Sequence, residues 1–122
     1  MVKEGKYMRV LVNGAAGRMG SEVCRAVQSS SDLHLVGGID PAGRGLLTGV
    51  KTFTNLKEAL EAIPVDVVVD FTTPHAVGPS METCLAFDVP MVIGTTGLSA
   101  AELQEWQVRA LQENWRAIIA PN

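Results

Sequence analysis

Three glycines, Gly14, Gly17 and Gly20, stand at equal spacing and follow directly on the apolar run Val10-Leu11-Val12. A β-branched run that ends in glycine and opens onto an amphipathic stretch predicts strand, tight turn and helix. At such a junction the first N–H groups of the helix lack backbone partners and the helix dipole turns its positive end outward. That setting suits a pyrophosphate. Gly14 lets the chain leave the strand sharply, Gly17 lets phosphates approach the backbone, and Gly20 lets the helix lie close to the strand. The pattern is G-x-x-G-x-x-G, with Ala16 at the middle glycine position of the commoner G-x-G-x-x-G. Asp40 closes a second apolar run about 20 residues on, the position of an acid that meets the ribose hydroxyls of a dinucleotide.

The elements that must position these residues alternate along the chain. Strands are expected at Arg9–Asn13, Leu33–Ile39, Val65–Phe71, Met91–Gly94 and Ala117–Ala120, with a short edge strand at Lys51–Phe53 after the glycine-rich loop Pro41–Val50. Helices are expected at Arg18–Ser29, at Leu56–Ile63 behind the N-cap Asn55, and after Pro74 with a regular part at Ser80–Phe87, delayed by Gly78 and Pro79. A capping box of Ser99 and Glu102 opens a last helix running to about Asn114. The run Val67-Val68-Val69 does not alternate, which points to a strand buried on both faces of a parallel sheet. The whole reads as α/β, a doubly wound parallel sheet forming one domain over residues 1–122. In such sheets ligands sit beyond the C-terminal ends of the strands. Those ends carry Gly14, Asp40, Phe71-Thr72-Thr73, Gly94-Thr95-Thr96-Gly97 and Ala120-Pro121-Asn122.

Composition narrows the partners. Hydrophobic residues make up 47% of the chain and charged ones 19%, the balance of a folded domain. Net charge is −3 without a basic cluster, which argues against nucleic acid. No apolar run approaches the roughly 20 residues that span a bilayer, and Met1 to Tyr7 is too polar for a signal peptide, so a cytoplasmic setting is expected. Cys24 and Cys84 fall on separate expected helices and form no metal-ligand spacing. His34 sits inside a strand and His75 at a helix start without an orienting carboxylate nearby in sequence; both read as structural or surface histidines. Asp70 at a strand end reads as a carboxylate that bonds neighbouring groups. Trp106 and Trp115 read as core or as exposed surface.

Taken together, Val12-Asn13-Gly14-Ala15-Ala16-Gly17-Arg18-Met19-Gly20, Asp70-Phe71-Thr72, Val92-Ile93-Gly94-Thr95-Thr96-Gly97 and Ala120-Pro121-Asn122 resemble the N-terminal nucleotide-binding domain of the dihydrodipicolinate reductases. The resemblance implies a Rossmann fold that binds NADH or NADPH. It places Gly14, Ala15, Ala16, Gly17, Arg18 and Met19 around the pyrophosphate and Asp40 at the adenosine ribose. Phe71 and Thr72 would flank the cofactor, and Gly94, Thr95 and Thr96 would line the nicotinamide side. Ala120, Pro121 and Asn122 match the segment that passes beneath the nicotinamide. It also implies a role in the diaminopimelate route to lysine, with an oligomer in the full-length proteins.

The departures are equally informative. The family's C-terminal substrate domain carries a His-His and Lys motif and a P-S-G-T-A segment, and neither occurs here. The expectation is therefore a cofactor-binding chain that meets its small-molecule substrate only with that second domain, has no catalytic residue of its own and is inactive alone. Some family members place an arginine next to the acid, where it can meet a 2′-phosphate; here that position is Pro41, leaving Arg18 and Arg44 as the nearby cations. Two alternatives stay open: a nucleotide-binding module or redox sensor without catalysis, and the domain of another two-domain NAD(P) dehydrogenase.

Overall fold

The computed structural model describes residues 7–44, 49–95 and 97–120. Six strands form one sheet: β1 (Met8–Asn13), β2 (Leu33–Ile39), β3 (Thr52–Phe53), β4 (Val67–Asp70), β5 (Met91–Ile93) and β6 (Ala117–Ile119). Their order is β3-β2-β1-β4-β5-β6, and every pairing is parallel. Parallel neighbours need crossovers, and helices α1 (Arg18–Ser29), α2 (Leu56–Ala62), α3 (Pro74–Ala86) and α4 (Ala100–Gln112) supply four of them. The chain winds one way from β1 to β3 and the other from β4 to β6. The point of reversal lies between β1 and β4, where a doubly wound sheet opens a crevice.

Strand alternation divides the core into two layers. Leu11 and Val68 face one side, with Ala59 of α2 and with Val77, Met81 and Cys84 of α3. Val10, Val12 and Val67 face the other, against Ala15 and against Cys24 and Val27 of α1. The buried stripe of α1, Gly20, Cys24 and Val27, follows the helical repeat. Trp115 is core, and its indole N–H donates to the Val89 carbonyl at 2.8 Å; Trp106 lies half-buried beside it, 6.0 Å between ring centres.

Several element ends differ from the sequence reading, most by a residue or two, and two of the differences have a clear physical cause. Helix α3 is regular from Pro74, not from Ser80, because Thr73 caps it and Pro74 occupies a first-turn position. Pro79 lies on the exposed side, so the one helical hydrogen bond it removes is lost at the solvent face. Strand β4 begins at Val67 rather than Val65. Asp66 is drawn instead into a fork with Arg9, whose Nε and one terminal nitrogen donate to its two oxygens at 2.9 Å each.

Candidate functional site

The glycine turn is held by the strand it leaves and by the strand beside it. The N–H groups of Gly14 and Ala15 both donate to the Ile39 carbonyl, at 3.1 and 3.0 Å. Gly14 has φ +84°, and a Cβ there would stand 2.6 Å from the Phe71 carbonyl oxygen. A Cβ on Gly20 would lie 1.9 Å from the Gly14 carbonyl oxygen, so the helix rests directly on the turn. Gly17 is different. It is exposed, its backbone is extended (φ −74°, ψ 172°), and a Cβ there meets only one ordinary contact at 3.4 Å. The fold therefore demands glycine at positions 14 and 20 but leaves open space at 17.

The other helices start under side-chain caps: Asn55 for α2, Thr73 for α3 and the Ser99–Glu102 box for α4. Helix α1 starts at Gly17 with no side-chain cap and no acid in its first turn. Its N-terminus points from the turn at the C-terminal ends of the strands, beside the exposed Arg18 and Met19. Backbone N–H groups and the positive end of the dipole there are available to an anion.

Behind the turn lies a closed polar network. The two-residue repeat that sends Val10 and Val12 toward α1 sends Leu11 and Asn13 toward α3, and Asp70 follows Val68 to that same side. Asp70 is fully buried. Its Oδ1 accepts from the Thr72 N–H at 3.0 Å, the Thr72 hydroxyl at 2.7 Å and the Thr95 hydroxyl at 2.8 Å. Its Oδ2 accepts from Asn13 Nδ2 at 3.0 Å, and the same amide also donates to the Ser80 hydroxyl at 3.0 Å. Charge-assisted bonds from four groups satisfy a carboxylate that no ion pair reaches among the described residues. The network ties the ends of β1, β4 and β5 to α3. Asn13 and Ser80 were not singled out from sequence; the signal was the parallel register that sets Asn13 against Asp70.

The structure brings the strand-end residues together across the sheet. Phe71 N–H donates to the Asn13 carbonyl, Gly94 N–H to the Asp70 carbonyl and Ala120 N–H to the Ile93 carbonyl. The Phe71 ring lies against the Gly94 backbone so closely that a Cβ at Gly94 would stand 2.3 Å from it. Asp40 follows β2, with its N–H on the Phe53 carbonyl. Thr96, Pro121 and Asn122 lie outside the described residues. A groove of about 610 Å³ lined by Met8, Val67, Val92 and Ile118 lies elsewhere, toward the N-terminal ends of the strands, and has none of this chemistry. Among the described residues no cluster of metal-ligating side chains occurs and no helix is long and apolar enough to cross a membrane.

A doubly wound parallel sheet with a glycine turn at its reversal point is the architecture of a dinucleotide-binding domain. The chain belongs to the family described as "Dihydrodipicolinate reductase, N-terminus", which matches residues 8–122. It is 40% identical over 124 residues to the 4-hydroxy-tetrahydrodipicolinate reductase of Listeria monocytogenes, a match covering 94% of this chain and 47% of that protein. The Nostoc sp. enzyme of the same name is 34% identical over 131 residues, covering 93% and 47%. The dipicolinate-bound dihydrodipicolinate reductase of a Paenisporosarcina species superposes with a TM-score of 0.83 at 32% identity, over 95% of this chain and 48% of that one. The chain thus spans about half the length of the relatives it matches. A D-galactose-1-dehydrogenase from Rhizobium etli, at 15% identity and a TM-score of 0.78, shares the fold alone.

Proposed function

We propose that this chain holds a nicotinamide dinucleotide, NADH or NADPH, across the C-terminal ends of its strands and presents it within a reductase acting on a dihydrodipicolinate-type substrate in lysine and diaminopimelate synthesis. The observation that carries the reading is the contrast at the glycine turn. Positions 14 and 20 need glycine for the fold, whereas position 17 fronts an uncapped helix start with room for a phosphate. Gly14, Ala15, Ala16, Gly17, Arg18 and Met19 are the residues assigned to the pyrophosphate, and the strand end at Asp40 to the adenosine ribose. Phe71, Thr72, Gly94, Thr95 and Thr96 are assigned to the nicotinamide side, and Ala120, Pro121 and Asn122 to the segment beneath it.

When bound, such a cofactor supplies a hydride. The residues of this chain bind and orient it; the buried Asp70 network fixes the two loops, Phe71-Thr72 and Gly94-Thr95, that face its reactive half. Substrate contacts and the proton donor are assigned to a partner domain of the kind the longer relatives have room for. The reading carries with it a cytoplasmic setting and an oligomeric full-length protein.

Gly17→Val tests it. The variant is expected to fold, losing no more than about 1 kcal/mol from the poorer N-cap, while its affinity for NADH and for NADPH in isothermal titration falls about a hundredfold, or about 2.8 kcal/mol. Parent and folded variant binding equally well would show that the turn is not the phosphate site.

A further inference from the structure

Asp40 is the acid placed to meet an adenosine ribose, yet in this structure its carboxylate is already engaged. Arg44 N–H donates to Oδ2 at 2.7 Å, Arg44 Nε to the same oxygen at 2.8 Å, and an Arg44 terminal nitrogen to Oδ1 at 2.7 Å. A tight turn, closed by Gly43 N–H on the Asp40 carbonyl at 2.8 Å, folds the arginine back over its own acid. The Asp40 side chain is 3% exposed and that of Arg44 64%. What a ligand meets at this strand end is a guanidinium, not a carboxylate.

We propose that Arg44 sets the cofactor preference of this chain, masking Asp40 from the ribose diol and offering its free N–H groups to a 2′-phosphate, so that NADPH is favoured over NADH. The inference rests on the dinucleotide reading above. A ribose diol reaches the Asp40 oxygens only by breaking a two-pronged ion pair, and hydroxyls are weaker donors than the guanidinium they would replace. A 2′-phosphate needs no such exchange. Arg44 spends Nε and one hydrogen of a terminal nitrogen on Asp40; its remaining N–H groups have no partner among the described residues, its side chain is largely exposed, and the planar fork suits phosphate oxygens. Pairing with Arg44 also neutralises Asp40, which unpaired would repel a phosphate. Pro41 carries no charge, and Arg44 is the first cation along the turn that follows Asp40.

The test is isothermal titration of the parent chain and of Arg44→Ala with NADH and NADPH at one fixed ionic strength, with 2′,5′-ADP and AMP as probes of the adenosine end alone. The parent is expected to bind NADPH more tightly than NADH, and 2′,5′-ADP more tightly than AMP. Arg44→Ala is expected to weaken NADPH by about ten-fold or more and to leave NADH unchanged or tighter, with the two probes following suit. Should Arg44→Ala lose its fold by circular dichroism, Arg44→Gln, which keeps the methylene stem and a polar end without the charge, is held to the same expectation. An NADPH-to-NADH affinity ratio equal in parent and variant overturns the assignment while leaving the dinucleotide reading intact. A parent that binds neither cofactor overturns both.

Discussion

Pairing with Arg44 holds the Asp40 carboxyl down to about 2, from an ordinary value of 3.8. The Arg44 side-chain bonds are the largest cause; burial pushes the other way and loses, while the Arg44 N–H and charge add to the lowering. The folded state therefore binds this proton less tightly than the unfolded chain. The resulting stabilisation is present above the ordinary carboxylate value and disappears as pH falls through the folded one. The stability advantage of the parent over Arg44→Ala, read from urea midpoints, is expected to hold from neutrality to about pH 4 and to vanish by about pH 2. An advantage constant across that range would mean that Arg44 stabilises by packing alone. At this scale the sequence showed where the acid stands, because a strand-end position follows from counting. It did not show that Arg44 spans a turn to reach it, because the backbone of an irregular loop sets that contact. The buried Asp70 network was legible only in part: its acid and its threonines were visible in the loops, whereas Asn13 and Ser80 join it through strand register and helix placement.

At the scale of elements, strand, turn and helix at residues 8–29 follow the reading from apolar run and glycine spacing. The three glycines separate by cause. Gly14 answers a positive φ, Gly20 a contact with the backbone of the turn, and Gly17 neither. Gly20→Ala is accordingly expected to destabilise the fold by about 2 kcal/mol or more, since its methyl group would overlap a backbone oxygen that cannot move aside without α1. Chemical denaturation checks this. Equal stability of Gly20→Ala and parent would show that α1 is free to shift. A helical-propensity argument alone gives the opposite sign, because alanine is the better helix former. Element ends were less legible than element types. Proline predicts a delayed start for α3 only if it must face the core, and Pro79 does not.

For the molecule as a whole, the alternation of strands and helices and the unbroken Val67-Val68-Val69 run were enough to specify a parallel, doubly wound sheet. What they did not show is how unevenly its faces are covered. Helices α2 and α3, with Trp106 of α4, pack on one side, while the described core on the other side has α1 as its only helix. Ile118 of β6 is 64% exposed. Apolar patterning marks a strand as buried without saying which neighbour buries it.

The strand order has one further consequence, for how such a chain is made. Strand β1 is central, with β2 on one side and β4 on the other, and its bonds to β4 and to the residue just before it join residues 57 apart, from Arg9 to Asp66 and from Asn13 to Asp70. At about 5–20 residues per second, roughly 3 to 11 seconds of synthesis separate the two strands. Through that interval an apolar strand emerging from the ribosome has one open edge and lacks α3, which covers the Leu11 face. A nascent chain released after Pro64 holds β1, α1, β2, β3 and α2, yet is expected to show no cooperative unfolding and no slowly exchanging amides in Val10–Val12. Extending release to Thr95 is expected to protect those amides from hydrogen exchange. Protection already present in the shorter chain would mean that β1 and β2 with α1 close a core by themselves. If instead it arises only with β4, the apolar strand just before the glycine turn is among the first parts of this domain to be synthesised and among the last to be sheltered.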